Sequence, residues 1–208
     1  MRAEAQECGA VSLGGAAPCP MWFSMPNRYA SVALAAALLL PFPTLADGAR
    51  LDGLFARLKA AATPQEAATL VSEIWAVWAA PPPGAPEVEV LMDAAADYIR
   101  HEEYDRAVAA LDEAIRLAPD YAEAFNRRAT AHFRAGDHAA SMADIARTLK
   151  LEPRHFGALS GLGMVQLAQG RLPEALKAYE AALDLNPHLR SAKVHADAIR
   201  AALKEREL

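Results

Sequence analysis

The sequence predicts an all-α protein, about half of it a repeat of helix pairs. Three observations carry this. The stretches LAPD, LEPR and LNPH set Pro119, Pro153 and Pro187 34 residues apart. From Val88 onward, apolar and small residues recur at the same interval. Nearer the amino end, Leu51, Leu54, Phe55 and Leu58 stand at i, i+3, i+4 and i+7, one face of a helix.

The bulk numbers agree with a folded chain. Its 208 residues are 53% hydrophobic and 23% charged, enough apolar material for a packed core. The net charge of −5 leaves no basic excess to neutralise phosphates, which argues against nucleic acid and against anionic membrane surfaces as partners. The two cysteines, Cys8 and Cys19, both precede the first folded segment, and no Cys/His spacing suits a metal.

Residues 1–46 read as an address. The run from Met25 carries one base, Arg28, then an apolar stretch from Ala30 to Leu40, then Pro41 and Pro43. Thr44, Leu45 and Ala46 put small residues where a signal peptidase reads, so cleavage is expected after Ala46, leaving Asp47 first. The 11 residues from 30 to 40 fall short of the roughly 20 that a spanning helix needs, so an uncleaved anchor is the lesser reading. Glu4, Glu7, Pro18 and Pro20 suit a signal poorly, which puts the true start at Met25 or Met21. Removing residues 1–46 takes away Arg2, Arg28, Glu4 and Glu7 and leaves the charge at −5.

Residues 47–80 are expected to form a helical hairpin. After the first helix, Thr63 is an N-cap, Pro64 a first helical residue and Glu66 a capping-box partner. The second helix carries Leu70, Val71, Ile74, Trp75 and Trp78. Tryptophans at helical spacing fill an interface between helices more readily than they bind a ligand. The prolines and glycine of 81–87, Pro81 to Pro86 above all, read as a non-helical linker.

In the repeat, Leu91, Phe125 and Leu159 are in phase, as are Ala95, Ala129 and Gly163. Ala107, Ser141 and Ala175 follow, then Leu111, Ile145 and Tyr179, then Ala114, Thr148 and Ala182. Small residues let two helices approach, large ones fill the space between units, and each proline turns the chain into the next unit. First helices are expected near 88–101, 122–135 and 156–169, with Gly136 and Gly170 closing two of them in the left-handed region. Second helices start at Tyr104, His138 and Leu172 and run to the proline.

These in-phase sets resemble the tetratricopeptide repeat family. The resemblance covers residues 88–189, about half the chain, as units 88–121, 122–155 and 156–189. It implies a short right-handed α-solenoid of three helix pairs. Residues 190–208 then form a capping helix with Ala192, Ala196, Ile199 and Leu203 inward, and Lys193, Asp197, Arg200 and Lys204 outward. The 51–80 hairpin is expected to cap the other end. Four residues depart from the family pattern: Glu102 where glycine is usual, Arg128 where leucine is usual, Ser141 where alanine is usual, and His132 at the place of Tyr98.

The resemblance also implies a concave groove, lined by the first helices, that takes an extended peptide or a partner helix. By phase it would present Met92, Ala96, Ile99 and Arg100, then Asn126, Arg127, Thr130, Phe133 and Arg134, then Ser160, Met164 and Leu167. Arg127 and Arg134 project from one helical face and suit an acidic or C-terminal carboxylate. Replacing both with glutamate is expected to abolish capture at little cost in thermal stability. The clamp lysines and asparagines of some family members have no match here.

No catalytic constellation is present, and no metal or cofactor is expected. His101, His132, His138, His155, His188 and His195 read as surface or packing residues, and Glu102–Glu103 as a solvated turn. The leading expectation is an exported, periplasmic, non-enzymatic scaffold that binds another protein, in envelope assembly. Self-association into a homo-oligomer is the alternative, and an enzyme built on the hairpin ranks last.

Overall fold

The computed structural model describes residues 45–206, and within them the fold is all-helical. The signal segment from Met25 lies almost wholly outside these residues. Among the described residues, no helix is long and apolar enough to cross a membrane.

Helices α1 (Leu45–Ala60) and α2 (Pro64–Ala79) form the hairpin. Thr63 Oγ1 accepts from the Glu66 amide at 3.2 Å, and Glu66 Oε2 accepts from the Ala62 amide at 3.1 Å, so both side chains close the start of α2. Three helix pairs follow: α3 (Pro86–Arg100) with α4 (Tyr104–Leu117), α5 (Ala122–Ala135) with α6 (His138–Leu151), and α7 (Phe156–Ala168) with α8 (Leu172–Leu185). A last helix, α9 (Arg190–Arg206), packs on α8. The second helix of each pair also packs on the first helix of the next, which makes the array a solenoid.

One boundary differs from expectation. Pro86 belongs to α3, not to the linker: it opens the helix, where its fixed φ fits and its missing N–H would have had no partner.

The interior follows the repeat. Ala95, Ala107, Leu111 and Ala114 are fully buried in the first pair, and Ala175, Tyr179 and Ala182 nearly so in the third. Each large side chain stands against a small one. At Gly163 an added Cβ would lie 2.8 Å from the Tyr179 ring, so the third pair seats its larger residue by having no side chain opposite. Burial pushes the Tyr179 phenol up to about 12.

Each first helix ends in the same way. Gly136, at φ 86°, and Gly170, at φ 73°, are left-handed. Around them Asp137 N–H donates to His132 at 2.9 Å and Arg171 N–H to Gln166 at 2.9 Å, the long bond of a Schellman turn. In the first pair Glu103 N–H donates to Tyr98 at 2.9 Å, and Glu102 takes the left-handed place at φ 61°. Geometry shared by all three turns thus overrides a side chain that disfavours it.

Both ends of the array are polar. Tyr121, Ala124 and Ala131 are buried against the preceding pair, as are His155, Ala158 and Val165. In phase with them on α3 stand Glu87, Val90 and Asp97, all exposed. On α9, Ala192, Ala196 and Ile199 are buried while Lys193, Asp197 and Arg200 form ion pairs in solvent. The hairpin is not an end cap. Its core of Leu51, Leu54, Phe55, Leu58, Leu70, Ile74 and Trp78 is continuous with Phe156 and Ala182, and Leu159, Leu185 and Leu189 pack against it. It lies across the N-terminal ends of α5 and α7 and the C-terminal end of α8, because its aromatic rings match Phe156 and His155 there, whereas α3 offers only Glu87, Val90 and Asp97.

Two stability predictions follow from these turns and pairs. Gly163→Ala should lower stability by about 1–3 kcal/mol through overpacking against Tyr179, and adding Tyr179→Ile should recover most of it, as measured by denaturant midpoint. Glu102→Gly should raise stability by about 1 kcal/mol, seen as a higher melting temperature.

Candidate partner-binding surface

Glu123 sits in the first turn of α5 and is only 4% exposed. A buried carboxylate needs several partners, and the array provides them. Arg127 Nε donates to it at 2.9 Å, Asn126 Nδ2 at 3.0 Å, and His155 Nε2 lies 3.3 Å away. His155 is fully buried and caps α7: its Nδ1 accepts from the Ala158 amide at 3.0 Å. That bond leaves the ring proton on Nε2, where it is donated to Glu123. Arg127 also donates to the Met92 carbonyl at 3.1 Å, tying α5 to α3.

Aromatic rings cover this network. Trp78 stacks on His155 with centroids 4.2 Å apart, and Trp75 meets His155 edge-on at 5.3 Å and Phe156 at 5.8 Å. The Trp75 ring fills the space a Cβ would take at Gly157, with its nearest atom 2.7 Å away. Arg154 lies 5.1 Å over the Phe55 ring and pairs with Asp52 at 2.5 Å, and Tyr121 donates to the Ala79 carbonyl at 2.8 Å. Burial pushes the Tyr121 phenol up.

The twelve residues expected in the groove therefore divide. Met92 is buried in the core of the first pair, and Asn126 and Arg127 are half-buried and bonded to Glu123. Towards the C-terminal ends of the first helices the surface is open. Arg100, Thr130, Arg134 and Met164 are exposed; Ala96, Ile99, Phe133, Ser160 and Leu167 are half-buried. Arg100 pairs with Asp97, Phe133 stacks on His138 at 5.6 Å, and Thr130 donates to the Asn126 carbonyl at 3.1 Å. Arg134 has no ion pair among the described residues. Arg127 and Arg134 share a helical face, yet only Arg134 has its guanidinium free. The expectation that exchanging both arginines leaves stability nearly unchanged is corrected for Arg127, since a glutamate there would face buried Glu123.

A second polar set lies inside the array. Arg128 grips Asp144 with two bonds, 2.8 and 2.6 Å, and reaches Asp112 at 2.5 Å. The Asp144 carboxylate holds the Arg128 guanidinium well above its usual range. Ser141 Oγ donates to the Ala129 carbonyl at 2.8 Å. Both departures from the repeat pattern are thus satisfied by neighbours. Among the described residues, no group of three or more His, Cys, Asp and Glu side chains is placed to hold a metal ion.

Sequence reasoning missed Glu123, His155 and Gly157 as members of one surface. Glu123 and Gly157 are in phase with exposed Glu89, so both had the pattern of solvent positions. The signal available was Trp75 and Trp78, whose partner was unspecified.

The tetratricopeptide repeat family model matches residues 92–150 and 129–190. The chain is 42% identical over 144 residues to a TPR repeat-containing protein of Rhizobium etli, covering 69% of this chain and 70% of that one. It is 32% identical over 85 residues to small glutamine-rich tetratricopeptide repeat-containing protein 2 of Saccharomyces cerevisiae, spanning 41% of this chain and a quarter (25%) of that protein. Among solved structures, the first TPR of Spaghetti (RPAP3) bound to the HSP90 peptide SRMEEVD is similar with a TM-score of 0.55 and 27% identity, covering 58% of this chain and 95% of that one. The TPR2B domain of yeast Sti1, solved with an Hsp70 peptide, shares the fold at a TM-score of 0.52 and 20% identity, covering 56% and 98%.

The two arginines should separate by stability. Arg127→Ala should cost about 2 kcal/mol by depriving buried Glu123 of its cation, whereas Arg134→Ala should stay within about 0.5 kcal/mol of the parent. Urea unfolding of both variants checks this.

Proposed function

The chain belongs to the tetratricopeptide repeat family, and from that premise we propose that it is a non-catalytic adaptor that captures a segment of another protein on the open half of its first-helix face. The observation that carries this is the uncovered surface of Thr130, Arg134 and Met164 (the last 41% exposed) beside half-buried Phe133 and Leu167. It pairs a free guanidinium with an apolar floor. That chemistry suits a peptide or helix with an apolar side and a carboxylate at one edge. A relative of this fold takes a peptide rich in carboxylates, which supports the reading.

We further propose that the adaptor works after export, in the periplasm, in envelope assembly. The signal-like layout from Met25 to Ala46 supports export. A cut after Ala46 would leave Asp47 in the first turn of α1, where an acid favours the helix dipole. N-terminal sequencing of the cell-fractionated protein reads both compartment and cut: Asp47 in the periplasmic fraction is expected, and an intact chain in the cytoplasm overturns export.

The binding test is capture by crosslinking from cell envelopes, with the parent chain beside Arg134→Glu/Met164→Glu. A protein held by the parent and lost from the variant, with melting temperatures within about 2 °C, is the expected result. Equal capture by both places binding elsewhere on the molecule and overturns the open-half reading.

A further inference from the structure

The face covered by the hairpin differs from the cores of the first and third pairs. Those two cores are lined by alanine, leucine and other apolar side chains, and the middle pair adds the Arg128–Asp144 set. Beneath α2 the array instead presents His155, which bonds to Glu123, itself held by Asn126 and Arg127. These groups satisfy one another: the bonds to Glu123 all come from the array, none from the hairpin. Such a set costs desolvation energy when covered and regains water when uncovered.

The hairpin's side of the interface tells the same story. The Trp78 indole N–H is buried with no acceptor among the described residues, so opening would give it water to bond. The hairpin meets the array through rings, Trp75 and Trp78 against His155 and Phe156, beside an apolar core shared with Ala182, Leu159 and Leu185, the Asp52–Arg154 pair and the Tyr121 bond to Ala79. The close backbone approach that marks each helix pair is absent here. The array is shaped to receive those rings: Gly157 leaves the notch that Trp75 fills, in phase with two glutamates. Finally, the stretch from Ala80 to Ala85 keeps the hairpin tethered beside the face. With three consecutive prolines this tether is short and stiff, which keeps the hairpin near the face.

We propose that this face is a second binding site, held shut by the chain's own α2, for a partner helix that carries two bulky aromatic rings one turn apart. The partner's rings replace Trp75 in the Gly157 notch and Trp78 on His155, and the hairpin swings away on its tether. This site is distinct from the open half around Arg134 and does not depend on it.

The test uses the chain from Asp47 onward and, as probe, a fluorescent synthetic peptide of residues 63–80. The parent chain should bind the peptide at least tenfold more weakly than Trp75→Ala/Trp78→Ala, whose own hairpin no longer competes. Adding Gly157→Leu to that variant should weaken binding again by at least tenfold. Equal affinity for parent and double variant, with helical content retained, overturns the proposal. Hydrogen exchange on the unaltered chain gives an independent reading should the double variant fail to fold. Amides of α1 and α2 should exchange through a local opening at least tenfold more populated than the opening that exposes α5 to α8. A single shared opening for hairpin and array would make the hairpin a fixed part of the core, and the proposal would fall.

Discussion

The array rests on one steric constraint: within each helix pair, a large side chain needs a small one opposite. Leu111 has Ala95, and Ile145 has Ala129. Tyr179, the largest, has Gly163, whose missing Cβ leaves room for the ring. Spacing matters because each second helix also packs on the next first helix. An error in one pair would tilt the next, and the shared face of α3, α5 and α7 would lose its alignment.

Against that frame the middle pair carries a polar exchange. Arg128 and Asp144 stand in phase with Ala94 and Ala110 in the first pair and with Leu162 and Ala178 in the third. A lone charge at either place would be costly, but two bonds between them, with Asp112 as a third partner, close the set. Ser141 likewise replaces an alanine without leaving its hydroxyl unbonded. Departures from a repeat pattern are tolerated here when the partner changes too, and a single-site view of the pattern hides that.

How legible this was in the sequence depended on whether information was local or relational. The helix pairs were readable because small and large residues recur in phase, and the turn glycines because only a left-handed residue closes such a helix. Glu102 shows the limit: its side chain argues against a positive φ, and only the turn's place in the repeat reveals that it has one. The open half of the candidate surface, Thr130, Arg134 and Met164, also followed from phase. Arg127 did not, because its bond to Glu123 depends on that acid being covered, and the cover comes from a helix more than forty residues earlier in the chain. Helical spacing identifies which residues share a face but not what lies over the face.

That cover gives the molecule its asymmetry. The α3 end shows Glu87 and Asp97, and the α9 end shows Lys193, Asp197 and Arg200, so stacking onto a further unit would bury charge at either end. The hairpin covers one part of the face of the first helices and leaves the other part open. Its aromatic pairs are each worth about 0.5–1.5 kcal/mol beyond their burial, while the polar set beneath them and the orphaned Trp78 N–H oppose closure. A free arginine over an apolar floor at one end, and a tethered aromatic cover over a self-satisfied ionic set at the other, are the two recognition chemistries proposed for one scaffold. The solenoid's regular spacing holds them in register.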